Sequence, residues 1–294
     1  MKIHPKAITL VVLLGLFGLS GLTEISCTSA AAKETKKHLQ VRAATFNIYN
    51  RLWDRRARMP VTLQVLKNIR PDIMGLQEVS SGLIAPGNPA EFFTNHLKMH
   101  AKIFWHQRNL GLVKTGVAIL SRWPILETEY HDFKDHQFLD VKGFMLAKIN
   151  APSGILNVIN VHLASTENAT IKASEFRQLG DFVKGLGSQY PTLILGDFNE
   201  DISRPVFQEF IKETKSDPLY KHLRAEAFHN TWSPSLLDAC SHSPGERIDY
   251  LFIVQKESLQ PLSFQGGQIV VPETTPHPSD HCAVYADLNW QEGT

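Results

Sequence analysis

The stretch Gly143-Phe-Met-Leu-Ala-Lys-Ile149, followed a few residues later by Ile155-Leu-Asn-Val-Ile-Asn-Val161, reads as two strands close enough to pair as a hairpin. Working outward, short apolar runs of the same kind recur at residues 41–46, 72–76, 116–120, 192–195, 248–254 and 283–288. Two segments instead carry helical spacing. Pro60 can open one whose Val61, Val65, Leu66 and Ile69 share a face, and Pro71 stops it. The other runs through Ile171, Leu179, Phe182, Val183 and Leu186, after a polar lead-in over residues 166–170. Strands outnumber helices, and neighbouring strands are close in sequence. This predicts an α/β protein of two packed sheets with helices outside, not a doubly wound parallel sheet. Without an obvious linker, residues 38–292 are expected to form a single domain.

The composition suits such a core. The chain has 294 residues, 43% of them hydrophobic and 20% charged, which excludes a disordered polymer. Thirty Lys and Arg face 29 Asp and Glu, so no net field selects a nucleic acid. Residues 1–32 are set apart: Lys2 and Lys6 precede an apolar run over 7–22, and small residues follow at Ala30, Ala31 and Ala32. That order predicts a secretory signal peptide and an exported product, since the run is short for a membrane span. An uncleaved anchor is the alternative. Lipidation at Cys27 is a weaker one, because Glu24 stands where a lipobox takes an aliphatic residue.

Polar residues sit at the strand ends. Asn47, Glu78 and His162 follow three runs, Asp197 and Asn199 follow a fourth through Gly196, Asp249 opens a fifth, and Asp280-His281 precede the last. Strand ends along one edge can converge on a pocket. Singly, each residue has a structural use: Asn47 or Asn199 can cap a turn, and Asp249 can pair with Arg247. Collectively they form a set of carboxylates and amides without thiolates. Such donors suit magnesium, manganese or calcium and not zinc.

In order along the chain stand Thr45-Phe46-Asn47, Leu76-Gln77-Glu78-Val79, the block 116–122, Val161-His162-Leu163, Gly196-Asp197-Phe198-Asn199, Arg247-Ile248-Asp249-Tyr250 and Ser279-Asp280-His281. Together these resemble the endonuclease/exonuclease/phosphatase superfamily over residues 41–288. The resemblance implies a four-layer α/β/β/α sandwich of two mostly antiparallel sheets, and phosphoester hydrolysis dependent on a divalent metal, usually Mg2+. It implies Asn47 and Glu78 as metal ligands, with Asp280 assisting. His281 would be the general base, oriented by Asp249, since a carboxylate fixes the tautomer of an imidazole and stabilises its charged form. Asp197 and Asn199 would position nucleophile or phosphate, and His162 would donate to the phosphate or assist the leaving group.

The substrate is read from fewer residues. Lys142-Gly143-Phe144 resembles a segment of neutral and bacterial sphingomyelinases in which the lysine works with an upstream aspartate; Asp135 and Asp140 both qualify. Thr231-Trp232-Ser233-Pro234 partly resembles a T-W-x-P stretch of the same group, with Ser233 in place of Asp. No membrane-inserting hydrophobic hairpin is visible, which speaks against efficient action on intact bilayers. Arg51, Arg55, Arg56 and Arg58 surround Trp53 just after Asn47 and offer a grip on phosphates, with Arg122 as a further substrate contact. The expectation is an exported phosphodiesterase acting on a phospholipid head group, monomeric, with peripheral membrane contact. A secreted nuclease is the alternative. A phosphoinositide phosphatase lacks its W-C-D-R-I stretch, and a non-catalytic relative would have lost some of the residues retained here. No G-x-S-x-G, H-E-x-x-H or P-loop motif occurs. Cys240 and Cys282 can pair in an exported protein, but free thiols are expected.

Overall fold

A computed structural model describes residues 38–49, 52, 54–84, 86–109, 112–136, 140–223, 230–234, 245–255, 262–274 and 277–291. The described residues fall in one compact unit, Lys36–Thr294. The strands are β1 (His38–Asn47), β2 (Ile73–Ser81), β3 (His100–Asn109), β4 (Val113–Ser121), β5 (Ile125–Asp132), β6 (Gly143–Ala151), β7 (Gly154–His162), β8 (Thr192–Asp197), β9 (Ser216–Pro218), β10 (Asp249–Val254), β11 (Leu262–Val270) and β12 (Ala283–Gln291). The helices are α1 (Arg55–Ile69), α2 (Pro89–Leu97), α3 (Ala169–Gly185) and α4 (Pro205–Thr214).

Two six-stranded sheets result, ordered β11-β12-β1-β2-β4-β3 and β5-β6-β7-β8-β10-β9. In each, one central pair is parallel, β1 with β2 and β7 with β8, and the other pairings are antiparallel. A helix bridges each parallel pair, α1 in one sheet and α3 in the other, as a parallel crossover requires.

Alternation along the strands then builds the layers. Val41, Ile73, Val117, Ile119, Met145, Val158, Leu193, Leu195 and Leu251 point inward and form the core between the sheets. Their neighbours Phe46, Met74, Leu76 and Leu120 point outward, forming a second core with Leu66 and Ile69 of α1 and Phe93 of α2. Phe144, Ile159, Ile194 and Phe252 do the same against Phe176, Leu179 and Val183 of α3 and Phe207 and Phe210 of α4. Three cores between four layers give the expected α/β/β/α sandwich.

Helix α1 starts at Arg55, so Pro60 lies inside it and does not open it. The first turn is fixed by Asp54, whose backbone carbonyl accepts from the N–H groups of Ala57 and Arg58. Among the described residues, no helix is long and apolar enough to cross a membrane.

Candidate active site

The two parallel pairs point their C-terminal ends the same way, and the polar residues gather there. Asn47 closes β1, His162 closes β7 and Asp197 closes β8. Asp249 opens β10 directly opposite Asp197, and His162 pairs with Asp197 from the other side. Glu78 lies within β2 where the register with β4 shifts between Leu76 and Val79, and its φ is +57°. This bulge re-aims the carboxylate. Gly196 just before Asp197 is required by close approach: its φ is +152°, and a Cβ there would lie 2.1 Å from the Val161 carbonyl oxygen.

Asn47 links the two halves. Its Nδ2 donates to Glu78 Oε1 at 3.2 Å and to Asp197 Oδ2 at 2.9 Å, while its Oδ1 accepts the Tyr49 N–H at 3.0 Å. His281 Nδ1 lies 2.9 Å from Asp249 Oδ2, and His281 Nε2 lies 3.8 Å from Asp197 Oδ2. His162 Nε2 approaches the same Asp197 oxygen at 3.6 Å. Asn199 is fixed by its N–H to Asp197 Oδ1 and by its Nδ2 to the Leu163 carbonyl, both at 2.9 Å.

The Thr231-Trp232-Ser233 segment holds this edge together. Thr231 Oγ1 accepts the N–H groups of Ile248 and Asp249, and Trp232 forms a bridge to His281 while its Nε1 donates to Asp280 Oδ2 at 3.3 Å. The Ser279 hydroxyl donates to the Asn47 carbonyl at 2.7 Å and accepts the His281 N–H at 3.1 Å.

Electrostatics separates the two imidazoles. Burial would depress His281, but Asp249 and Asp197 outweigh it and raise its pKa to about 10. His162 is fully enclosed; burial, then Lys142 and His106, hold it well below the ordinary range and keep it neutral. Burial and the adjacent Asp249 push Asp197 up to about 7. One imidazole is thus favoured in its charged form between carboxylates, and the other in its neutral form.

The oxygen donors suit a hard divalent cation. Asp280 is raised by burial and by the nearby Glu78 carboxylate, a repulsion that a dication would relieve. Asp197, Asp249 and His281 also each offer a ligand atom within 4.8 Å of one another. Of these, His281 Nδ1 and Asp249 Oδ2 are engaged with each other.

Lys142 is buried beside His162, and its Nζ lies 3.2 Å from Asp140 Oδ1. That decides between the two upstream aspartates, since Asp135 instead accepts from the Ser174 hydroxyl. His106 on β3, which sequence reasoning missed, accompanies them: its Nδ1 meets the Val141 carbonyl at 2.7 Å, and its ring lies 6.0 Å edge-on from that of His162. An isolated histidine in a polar strand gives no sequence signal.

The expected arginine grip is corrected. Arg55 and Arg58 are buried and bind backbone carbonyls, Arg55 those of Ser80 and Pro86, Arg58 those of Ile48, Tyr49 and Pro278. Arg122 is not brought to the site. It pairs with Asp72 at 2.7 Å, beyond the end of β4 remote from Glu78. Arg51 lies outside the described residues. Cys282 is disulfide-bonded, contrary to the free thiols expected, and its partner lies outside the described residues. Beside Asn199 opens a cavity of about 370 Å³ lined by Thr166, Glu200, Arg204, Glu246 and Arg247.

The family model described as Endonuclease/Exonuclease/phosphatase family matches residues 44–281, from β1 through His281. The chain belongs to that family. A phospholipase C of Staphylococcus aureus is 30% identical over 164 residues, 50% of this chain and 48% of the relative. A sphingomyelinase C of Bacillus cereus is 26% identical over 180 residues, 54% of this chain and 53% of the relative. The chain thus spans about half the length of these two relatives. The solved endonuclease/exonuclease/phosphatase structure from Beutenbergia cavernae superposes with a TM-score of 0.66 at 18% identity, covering 86% of this chain and 72% of that one, and shares the fold.

Proposed function

We propose that this chain is an exported phosphodiesterase that hydrolyses a phospholipid head group in the manner of a sphingomyelinase, with residues 1–32 as signal peptide and 38–292 as the single catalytic domain. The observation carrying it is the Lys142–Asp140 pair at 3.2 Å, whose buried lysine immediately precedes Gly143, the strand partner of His162. The likeness to a phospholipase C and a sphingomyelinase C supports the same substrate class. Magnesium, the metal we favour, would be held by Asn47, Glu78 and Asp280 and would draw charge from a phosphoryl oxygen.

The chain's own groups account for the rest. In the neutral form that a dication among these carboxylates would favour, His281 takes a proton from water as its oxygen attacks phosphorus, and Asp249 fixes the ring and stabilises the imidazolium so formed. Asp197 and Asn199 hold the phosphate and water in line. Neutral His162 donates a hydrogen bond to the phosphate while the phosphorus–oxygen bond to the lipid breaks, the departing lipid oxygen takes up a proton from solvent water, and Lys142 adds a positive charge beside the phosphate. The cavity beside Asn199 is large enough for more than a bare phosphate. A monomer with peripheral membrane contact completes the reading.

A substrate panel tests it: sphingomyelin vesicles, plasmid DNA and a phosphoinositide, each with magnesium. Sphingomyelin is expected to be cleaved fastest. DNA nicking without lipid cleavage would overturn the assignment. The nuclease alternative is disfavoured because Arg55 and Arg58 are committed to backbone carbonyls.

A further inference from the structure

Sequence reading finds no hydrophobic hairpin, yet the fold assembles an apolar tip from two separate segments. Leu83 is 80% exposed and Ile84 62% exposed, on the loop after β2, and Leu112, just before β4, is 47% exposed. Isolated surface leucines mean little. These are joined: the Ile84 N–H donates to the Leu112 carbonyl at 3.4 Å, and a Cβ on Gly82, whose φ is +153°, would lie 2.2 Å from that carbonyl oxygen. The loop is also secured from behind, since buried Arg55 donates to the carbonyls of Ser80 and Pro86 on either side of Leu83 and Ile84. A fixed loop thus presents two large apolar side chains to solvent.

The tip lies on the loop that directly follows the strand carrying Glu78. Leu83 follows Glu78 by five residues, within about 17 Å at the rise of an extended chain. Arg55, which secures the loop, lines one small cavity together with Glu78 and Pro89. Its charge pattern is one-sided. Residues 79–90 contain no charged side chain, and no Asp or Glu occurs between Glu91 and Glu127. Lys114, two residues after Leu112, has its Nζ 5.5 Å from the Trp105 ring centroid. An apolar tip with Lys114 at its base and a stretch free of carboxylates over residues 92–126 complements a lipid interface. Leucine and isoleucine enter the acyl boundary while cations remain among the phosphates.

We infer that Leu83, Ile84 and Leu112 are the surface by which this chain seats on a phospholipid membrane, turning the catalytic strand ends towards the head groups. The inference rests on the phospholipid reading above. Its test is flotation of the full chain with vesicles of phosphatidylcholine, sphingomyelin and phosphatidylserine, using His281→Ala so that the lipid is not consumed. Adding Leu83→Ser and Ile84→Ser is expected to lower the bound fraction roughly tenfold or more, with an unchanged melting temperature. Flotation undiminished by these changes overturns the inference, as does a parent that does not float. A parent that is dimeric and becomes monomeric on substitution, without vesicle binding, assigns the tip to a second copy and also overturns it. If the serine variant misfolds, Leu83→Trp with brominated lipid replaces it: quenching supports insertion, and its absence contradicts it. Wild-type protein that releases no phosphocholine while His281→Ala still floats would sink the functional reading and leave the surface standing.

Discussion

Asp249 and His281 meet edge to edge between the two sheets, Oδ2 to Nδ1 at 2.9 Å, with both side chains buried. Asp249 belongs to β10 of one sheet, and His281 precedes β12 of the other, so the contact exists only when the sandwich is closed. Asp249→Asn keeps the shape and removes the charge that helps hold the imidazole protonated. The expected result is a kcat loss of roughly 10²- to 10⁴-fold with little change in KM, and an NMR titration of His281 displaced to lower pH. An unshifted His281 titration would mean that Asp249 does not govern it.

A second cross-sheet contact serves stability. Gln77 Nε2 donates to Asn160 Oδ1 at 2.6 Å, and Asn160 Nδ2 donates to the carbonyls of Leu76 and Ala118 at 3.0 and 2.8 Å. All of this is buried between the sheets. Asn160→Leu removes these three buried hydrogen bonds and leaves the Gln77 amide with Thr45 Oγ1 alone, which should cost on the order of 3 kcal/mol in urea unfolding. A loss below about 1 kcal/mol would contradict the bridge.

The arginines after Asn47 divide by role. Arg55→Ala removes the support of the Ser80 and Pro86 carbonyls and should destabilise by on the order of 2 to 3 kcal/mol. Arg56 is exposed, and Arg56→Ala should change stability by no more than about 0.5 kcal/mol. Thermal melts compare the two directly. Equal effects would show that the buried anchor matters no more than the surface charge.

Glu175 supplies a pH signature away from the proposed metal. Burial raises its carboxyl to about 7, against the pull of the Ala164 N–H and Lys172. Between the ordinary value of 4.5 and about 7, the folded state holds the proton more tightly than the unfolded chain. The Glu175 contribution is therefore present at low pH, is lost as pH rises through that window, and levels off above it. Glu175→Gln should flatten this part of the profile. Relative to wild type, the variant should gain on the order of 3 kcal/mol between about pH 4.5 and about pH 8, measured by urea unfolding. Parallel profiles for the two proteins would refute the raised pKa.

What the sequence disclosed follows the layer structure. The eight strands legible as apolar runs, β1, β2, β4, β6, β7, β8, β10 and β12, are the eight inner strands, each flanked by a strand on both sides. The four unread ones, β3, β5, β9 and β11, are the four edges. An edge strand such as Ile125-Leu-Glu-Thr-Glu-Tyr-His-Asp132 is largely solvated and has no need of a continuous apolar run. Helices α2 and α4 were too short for periodicity to declare them. Asn47, Glu78, His162, Asp197, Asn199, Asp249, Asp280 and His281 were legible because motif residues stood at strand ends. Arg55 and Arg58 misled because the sequence shows charge but not the carbonyls that consume it. His106 and the exposed pairing of Ile84 with Leu112 depend on long-range packing.

The most direct measurement is phosphocholine release from sphingomyelin vesicles in magnesium, run with wild-type protein, with His281→Ala and with EDTA. The account expects release by the wild type, a fall of roughly 10²-fold or more in His281→Ala, and abolition by EDTA that added magnesium reverses. Folded wild-type protein that binds magnesium but releases no phosphocholine, or release untouched by EDTA and by His281→Ala, would contradict it.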